Sequence, residues 1–189
     1  MAVTVPTKAD PKGLDLFVTE LNTQLATISW MDAPLGVGEK KQQTIDGKSA
    51  YVPLLYIAGK NNKGYISLFP DKRLGNFSWI NIEDKEYLGR TGSTAFWEYR
   101  LGIVFWFDWR KVYTASTQEG YTIENIKNDV FSTIMTSLYS KGQVKFVDFK
   151  EDADEIYSGY SHREVDQDFL MRPYGGLKAI IRVRNLENC

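Results

Sequence analysis

Residues 97–113 constrain the fold of this chain more than any other stretch, because polarity alternates along the whole segment. From 97 to 109 the odd-numbered positions are all apolar or aromatic, whereas the even-numbered positions mix charged residues with Gly102, Val104 and Trp106. Successive side chains of a strand point to opposite faces. The alternation therefore predicts a long central strand, with a heavy core on one face and a half-exposed second face on which Trp106 lies among charges.

Two amphipathic helices are expected, one on each side of this strand in the sequence. In the first, apolar residues recur every three or four positions over 14–28, with Asp10 as the cap and Pro11 in the first helical position. The second is expected to begin after Thr122, with an apolar stripe over 123–138. Each stripe is typical of a helix that packs on a sheet.

Shorter strands are predicted from β-rich runs and turn signals. Asp46-Gly47 predicts a two-residue hairpin turn. Its return arm, residues 49–58, is expected to be an edge strand or to carry a bulge, because Pro53 has no amide hydrogen to donate. Further short strands are expected at 65–69, 77–82, 144–149 and 177–186.

The order of these elements predicts the fold class. A length of 189 residues fits one domain. Within that single domain, 1–189, we expect a long excursion at about 70–96 and an irregular arm at about 150–174. Runs of strands between two helices favour an α+β fold, with a mostly antiparallel sheet and the two main helices packed on one face.

Charge and cysteine usage narrow the classes of function. With 23 basic and 24 acidic residues, the chain is not expected to neutralise many phosphates of duplex nucleic acid. The single cysteine, Cys189, has no partner for an internal disulfide. No apolar run resembles a secretory signal or is long enough to span a bilayer. We therefore expect a soluble protein that is made in the cytoplasm and does not contact membranes.

Motifs for catalysis are weak. His162, with Glu164 and Asp166 nearby, could act as a general base or metal ligand, but we interpret it as a surface histidine because no second ligand pattern or nucleophile motif accompanies it. The acidic residues of 148–155 lack the spacing of a calcium loop. Residues 89–94 lack the lysine of a phosphate-binding P-loop. We expect no enzymatic activity, no cofactor and no metal.

The aromatic residues left outside the predicted core suggest a binding surface. Trp106, Trp79 and the tyrosines of the arm would suit a subunit interface, since tyrosine and tryptophan are enriched there. The apolar residues of 156–174 follow neither helical nor strand periodicity, which favours contact with another subunit. Two alternatives stay open: the arm covers the chain's own core, or the aromatics stack on sugars or single-stranded nucleic acid.

The C-terminal half, with its capped helix, strand, acidic arm and then FLMRPYGGLKAIIRVRNL, resembles tail-completion (tail-terminator) and head-to-tail joining proteins of tailed bacteriophages. It is also similar to ring or neck components of crAss-like and other phages of Bacteroidales. The most distinctive residues are PYGG at 173–176 and the preceding Phe169-Leu-Met. The resemblance implies a tail-terminator-like fold and a non-enzymatic protein of the virion neck or tail.

Proteins of that family form closed rings that join the portal to the tail. The implied partners are therefore copies of the chain itself, portal or connector proteins and tail proteins, with DNA passing through a channel without specific binding. Ring subunits meet through two different patches, for which the acidic segment 148–155 and a basic face with Lys178 are candidates. The expected interface residues are Tyr157, Tyr160, Phe169, Leu170, Met171, Tyr174, Trp106, Arg182, Arg184, Asp152 and Asp154.

Overall fold

The computed structural model describes residues 10–45, 47–57, 64–70, 74–113, 122–138, 144–161 and 172–188. These ranges contain four helices and eight strands. The helices are α1 Leu14–Leu25, α2 Trp109–Val112, α3 Ile123–Leu138 and α4 Ala153–Ile156. The strands are β1 Ala33–Val37, β2 Glu39–Ile45, β3 Lys48–Ile57, β4 Gly64–Ser67, β5 Phe77–Thr91, β6 Thr94–Asp108, β7 Val144–Lys150 and β8 Tyr174–Asn188.

The main sheet has five strands in the order β1-β5-β6-β8-β7, and β6 is its central strand as the alternation predicts. Only β1 is parallel to its neighbour. β6 ends at Asp108 rather than Tyr113, because the Asp108 carboxylate accepts the amide of Arg110 and caps the short helix α2. The predicted α+β class with a mostly antiparallel sheet is confirmed.

Each face of the main sheet carries its own core. On one face, α1 and α3 cover the odd-numbered residues of β6, as predicted for two helices on one side. On the other face, Val104 and Trp106 pack against β3 of a second sheet and against the segment after α4. The expectation of a half-exposed second face is therefore wrong from Leu101 to Asp108, where every residue of β6 is buried.

The second sheet, which we call the small sheet, has three strands in the order β2-β3-β4. β2 and β3 pair through Ile45 and Lys48 around the predicted two-residue turn. Pro53 does not place β3 at an edge, because β3 lies in the middle of this sheet without a bulge. The Pro53 carbonyl accepts the amide of Leu68, so the missing amide hydrogen faces the side where β4 has just ended.

The segment at 70–96 is mostly strand rather than an excursion. β5 runs from Phe77 to Thr91 and forms a hairpin with β6, with register shifts near Glu83 and Leu88. The distal half of β5 is charged and largely exposed, so it lacks the alternation by which strands are recognised in a sequence. Its pairing with β6 is what makes it a strand.

Both main helices start and end close to the predicted positions, with one difference at the first. α1 begins at Leu14 with Gly13 as its N-cap, so Asp10 and Pro11 precede the helix instead of opening it. Thr122 does precede α3, and its backbone amide donates to the Asn125 side chain, which satisfies one donor at the start of the helix.

Candidate functional site

A charged cleft opens between the two sheets on the face opposite α1 and α3. Its volume is about 590 Å³. The cleft is bounded by the junction of β1 and β2, the middle of β5, β8, the end of β7 and the turn after α4. Its charged lining residues are Lys40, Glu83, Arg100, Lys150, Glu155 and Lys178. The cleft thus brings four cations and two carboxylates together from six segments of the chain.

The floor of the cleft is a buried ion pair that crosses the central strand. Lys178 of β8 is only 3% exposed, and its ammonium binds the carboxylate of Glu83 on β5 and the Glu155 carbonyl at 3.3 Å. Arg100 donates to the same Glu83 carboxylate at 2.9 Å. Gly102 of β6 makes room for the pair, since a Cβ there would lie 2.5 Å from Lys178 Cε.

The wall formed by the turn after α4 carries a buried tyrosine. The Tyr160 hydroxyl donates to Asn81 Oδ1 at 3.0 Å, and its ring packs edge-on against Trp79. Burial, with a smaller effect from the charge of Glu83, raises the pKa of Tyr160 to about 12. The phenol therefore stays protonated at physiological pH and acts as a hydrogen-bond donor.

A second set of charged side chains lines the rim of the cleft. Lys150 binds Glu155 at 2.9 Å and Asp148 at 3.1 Å. The hydrogen bond that Lys150 donates to Glu155, followed by the one that it donates to Asp148, raises the pKa of Lys150. One lysine therefore meets two carboxylates at the rim, whereas two cations share one carboxylate at the floor. The excess of positive charge lies inside the cleft, which suits an anion.

The predicted aromatic interface residues lie mostly inside the molecule. Trp106 and Tyr157 are each 2% exposed, and Tyr160 is also buried in the core between the two sheets. Tyr174 is half-buried and stacks on Trp106, with ring centroids 5.0 Å apart. The premise that these rings are left uncovered by the chain's own core is wrong for Trp106, Tyr157 and Tyr160, because the small sheet and α4 cover them.

The start of the arm follows the alternative in which it packs on its own body. The backbone amide of Ser161 donates to the Tyr51 carbonyl at 2.8 Å, and the Ser161 hydroxyl accepts the Tyr51 amide at 2.9 Å. Residue 161 therefore occupies the position beside β3 that β4 is too short to reach. Phe169, Leu170, Met171 and His162 lie outside the described residues.

The predicted basic residues separate into two environments. Arg182 and Arg184 lie on β8, are exposed, and both bind Glu98 of β6, at 3.0 and 3.1 Å. Their hydrogen bonds lower the pKa of Glu98, Arg184 having the larger effect. Lys178, expected on the same basic face, is buried in the cleft instead. Asp152 and Asp154 are exposed at α4, as a charged surface requires.

Past the ends of β1 and β7, the main sheet continues as three strands, which we call the extension: residues 84–91 of β5, 94–100 of β6 and 184–188 of β8. β1 reaches only Ile80 of β5, and β7 reaches only Val183 of β8. Among the strands that the structure describes, none pairs with either outer edge beyond those points. The extension therefore offers unpaired backbone groups on both sides.

No family model matches this chain, and neither does any curated protein. Within the described ranges, no group of three or more His, Cys, Asp or Glu side chains is placed to hold a metal ion. None of the helices in the same ranges is both long and apolar enough to cross a membrane.

Two of the aromatic residues expected to form a stacking surface are buried in the structure. Trp79 is fully buried and Trp106 nearly so, so neither indole presents a face to a sugar or a base. The exposed aromatic side chains of the two sheets include Tyr51, Tyr56 and Tyr65 of the small sheet and Tyr87 of the extension.

Sequence reasoning missed the cleft, although one signal for it was present. Glu83, Arg100 and Lys178 come from three separate strands, so nothing in their spacing connects them. Gly102 interrupts the second face of the central strand, and an interior glycine in a strand often marks a close approach of other groups. Gly102 is the point at which the side chains of Glu83 and Lys178 meet across the central strand.

Proposed function

We propose that this chain is a structural protein of the neck or head-to-tail junction of a tailed phage, where copies of it form a ring. The observation that carries the proposal is the extension, whose two open edges differ in charge. Asp84 and Glu86, on either side of Lys85, are exposed on the open β5 edge, whereas Arg184 is exposed on the β8 edge just past the end of β7. Two different, complementary edges on one subunit are what a head-to-tail ring contact needs.

The strand directions support the same contact. β5 and β8 are both antiparallel to β6, so they run parallel to each other. When a second copy is placed beside the first, its β8 edge meets the β5 edge of the first in a parallel arrangement. Each such contact pairs backbone groups that are otherwise open, and repetition around an axis gives a ring to which every subunit contributes three strands.

The charges also act against incorrect pairing. Asp84 and Glu86 form no ion pair with the other described residues, so a pairing of two β5 edges that places these carboxylates opposite one another is unfavourable. The register shifts near Glu83 and Leu88 increase the local twist of this edge, which makes non-specific pairing with other strands less favourable. The β8 edge of another copy supplies backbone partners and a positive charge at Arg184. A contact between β5 of one subunit and β8 of the next is therefore favoured over a contact between two β5 strands.

Charge reversal at the two edges tests the assembly. We expect wild-type protein to form oligomers that weaken at high salt, since exposed ion pairs are screened. Glu86→Lys alone and Arg184→Glu alone should each weaken self-association about tenfold, and the two together should restore much of it because the edges are again complementary. Sedimentation velocity at low and high salt measures the three variants, with circular dichroism to verify folding.

Lys48→Glu is the matched control, because Lys48 is exposed on the small sheet away from the extension. It should sediment as the wild type does. A wild type that stays monomeric at every salt and protein concentration, or a double variant no better than either single one, would refute the edge contact. Failure to find the chain by mass spectrometry in purified phage particles would refute the virion role.

A further inference from the structure

Lys40 is an unneutralised cation on the wall of the charged cleft. Its ammonium lies 4.7 Å from the ring centroid of Tyr51 and 5.9 Å from that of Tyr160. It also lies 3.5 Å from the point that a Cβ on Gly159 would occupy. Among the described residues, no carboxylate pairs with it. Two aromatic rings flank this ammonium, and Lys40 lines the cleft, where its three hydrogen-bond donors are available to an anion.

Two further donors lie on the same wall. Ser158 and Gly159 are exposed in the turn after α4, and both line the cleft. The Ser158 hydroxyl and the Gly159 amide make no hydrogen bond with the other described residues. Gly159 has a positive φ of 85°, a conformation that glycine adopts without strain, so the turn brings this residue close to Lys40 at little cost.

The inner part of the cleft has an excess of positive charge. Arg100 and Lys178 share the single carboxylate of Glu83, so this group of three has a net charge of plus one. Lys40 adds a second positive charge. Such a field, partly shielded from solvent, favours an anion and strengthens its hydrogen bonds with charged donors.

We propose that the cleft binds a small oxyanion, of the phosphate or carboxylate class, through the Lys40 ammonium, the Ser158 hydroxyl and the Gly159 amide, with Arg100 nearby. A phosphate group and a carboxylate present the same chemistry to these donors, namely negative oxygens that accept several hydrogen bonds. The volume of about 590 Å³ falls within the range of small-molecule sites. The site is independent of the extension edges, so either proposal can fail alone.

Titration calorimetry with two probes tests the site at constant ionic strength. Inorganic phosphate represents one source and citrate the other, and sodium chloride keeps the ionic strength equal. We expect saturable binding of at least one probe, and Lys40→Met should weaken it about tenfold or more, because a charge-assisted hydrogen bond is lost. Saturation by phosphate alone, by citrate alone or by both identifies the group that the cleft accepts.

Lys48→Met is the matched control, since it removes an exposed lysine of the same small sheet outside the cleft. It should leave the affinity unchanged. Ser158→Ala, at an exposed position, should weaken binding several-fold without loss of folding, as measured by circular dichroism. Absence of binding by both probes, or an equal loss in the Lys40 and Lys48 variants, would overturn the proposal.

Discussion

Gly102→Ala is expected to destabilise the protein because the new methyl group enters the space of the buried ion pair. The added Cβ would lie 2.5 Å from Lys178 Cε and 2.9 Å from Glu83 Oε1, so both charged side chains must move. Overpacking of this kind costs ~1–3 kcal/mol. Complete separation of a buried ion pair costs ~3–5 kcal/mol, which sets the upper bound.

A smaller effect acts in the opposite direction. Replacing glycine by alanine restricts the unfolded chain and stabilises a protein by ~0.4–1 kcal/mol where the backbone permits it. The expected net loss is therefore about 2–3 kcal/mol in the free energy of unfolding, obtained from this overpacking cost and part of the ion-pair cost. In a chain of 189 residues this corresponds to a fall in Tm of about 4–12 °C.

Urea unfolding followed by tryptophan fluorescence measures the loss. Gly36→Ala is the control, because a Cβ at Gly36 would have no atom within 4 Å, and it should be neutral or slightly stabilising. A double-mutant cycle with Lys178→Ala identifies the cause, since Gly102→Ala should cost much less once the lysine is gone. Equal stabilities of the Gly102 and Gly36 variants, or no coupling with Lys178, would refute this explanation.

Two further predictions concern buried polar groups. Asn76→Ala should lower the free energy of unfolding by about 2–4 kcal/mol, because the Asn76 side chain donates a hydrogen bond to the Trp30 carbonyl at 2.8 Å and accepts one from the Asp108 backbone amide at 2.9 Å. Thermal unfolding measures the loss, with Asn128→Ala at an exposed position on α3 as the control. Similar Tm values for the two variants would contradict the prediction. The raised pKa of Tyr160 gives stability that is present below the unfolded value of 10.0 and is lost as pH rises towards about 12. Urea unfolding of wild type and Tyr160→Phe across that range should show the wild-type advantage shrinking, and a constant difference would contradict it.

Those parts of the fold with a strong local pattern were predictable from the sequence. The central strand and both helices follow from the spacing of apolar residues alone, and the hairpin at Gly47 follows from a turn that requires a positive φ. The start of α1 was misplaced because Asp10-Pro11 is a sound opening signal that the chain does not use. Gly13, three residues after Asp10, is the N-cap instead.

The parts that depend on distant pairing were not predictable. The distal half of β5 has a charged sequence and is a strand only because β6 lies beside it. The second core joins β3, the middle of β6 and the segment after α4, which are far apart in sequence. The sequence did not place Trp106 and Tyr157 in a core, because the segments that cover them have no helical or strand periodicity. Lys178 looked like a surface lysine because its partner, Glu83, lies two strands away.

The hydrogen bonds between Ser161 and Tyr51 have a consequence for biosynthesis. The small sheet is made early by the ribosome, yet its open side beside β3 is completed only when residue 161 emerges. The second edge of the central strand is likewise paired only after β8, the last of the described strands, has been made. A nascent or truncated chain that stops before β8 would expose the aromatic residues of β6, so we expect it to need a chaperone or to aggregate.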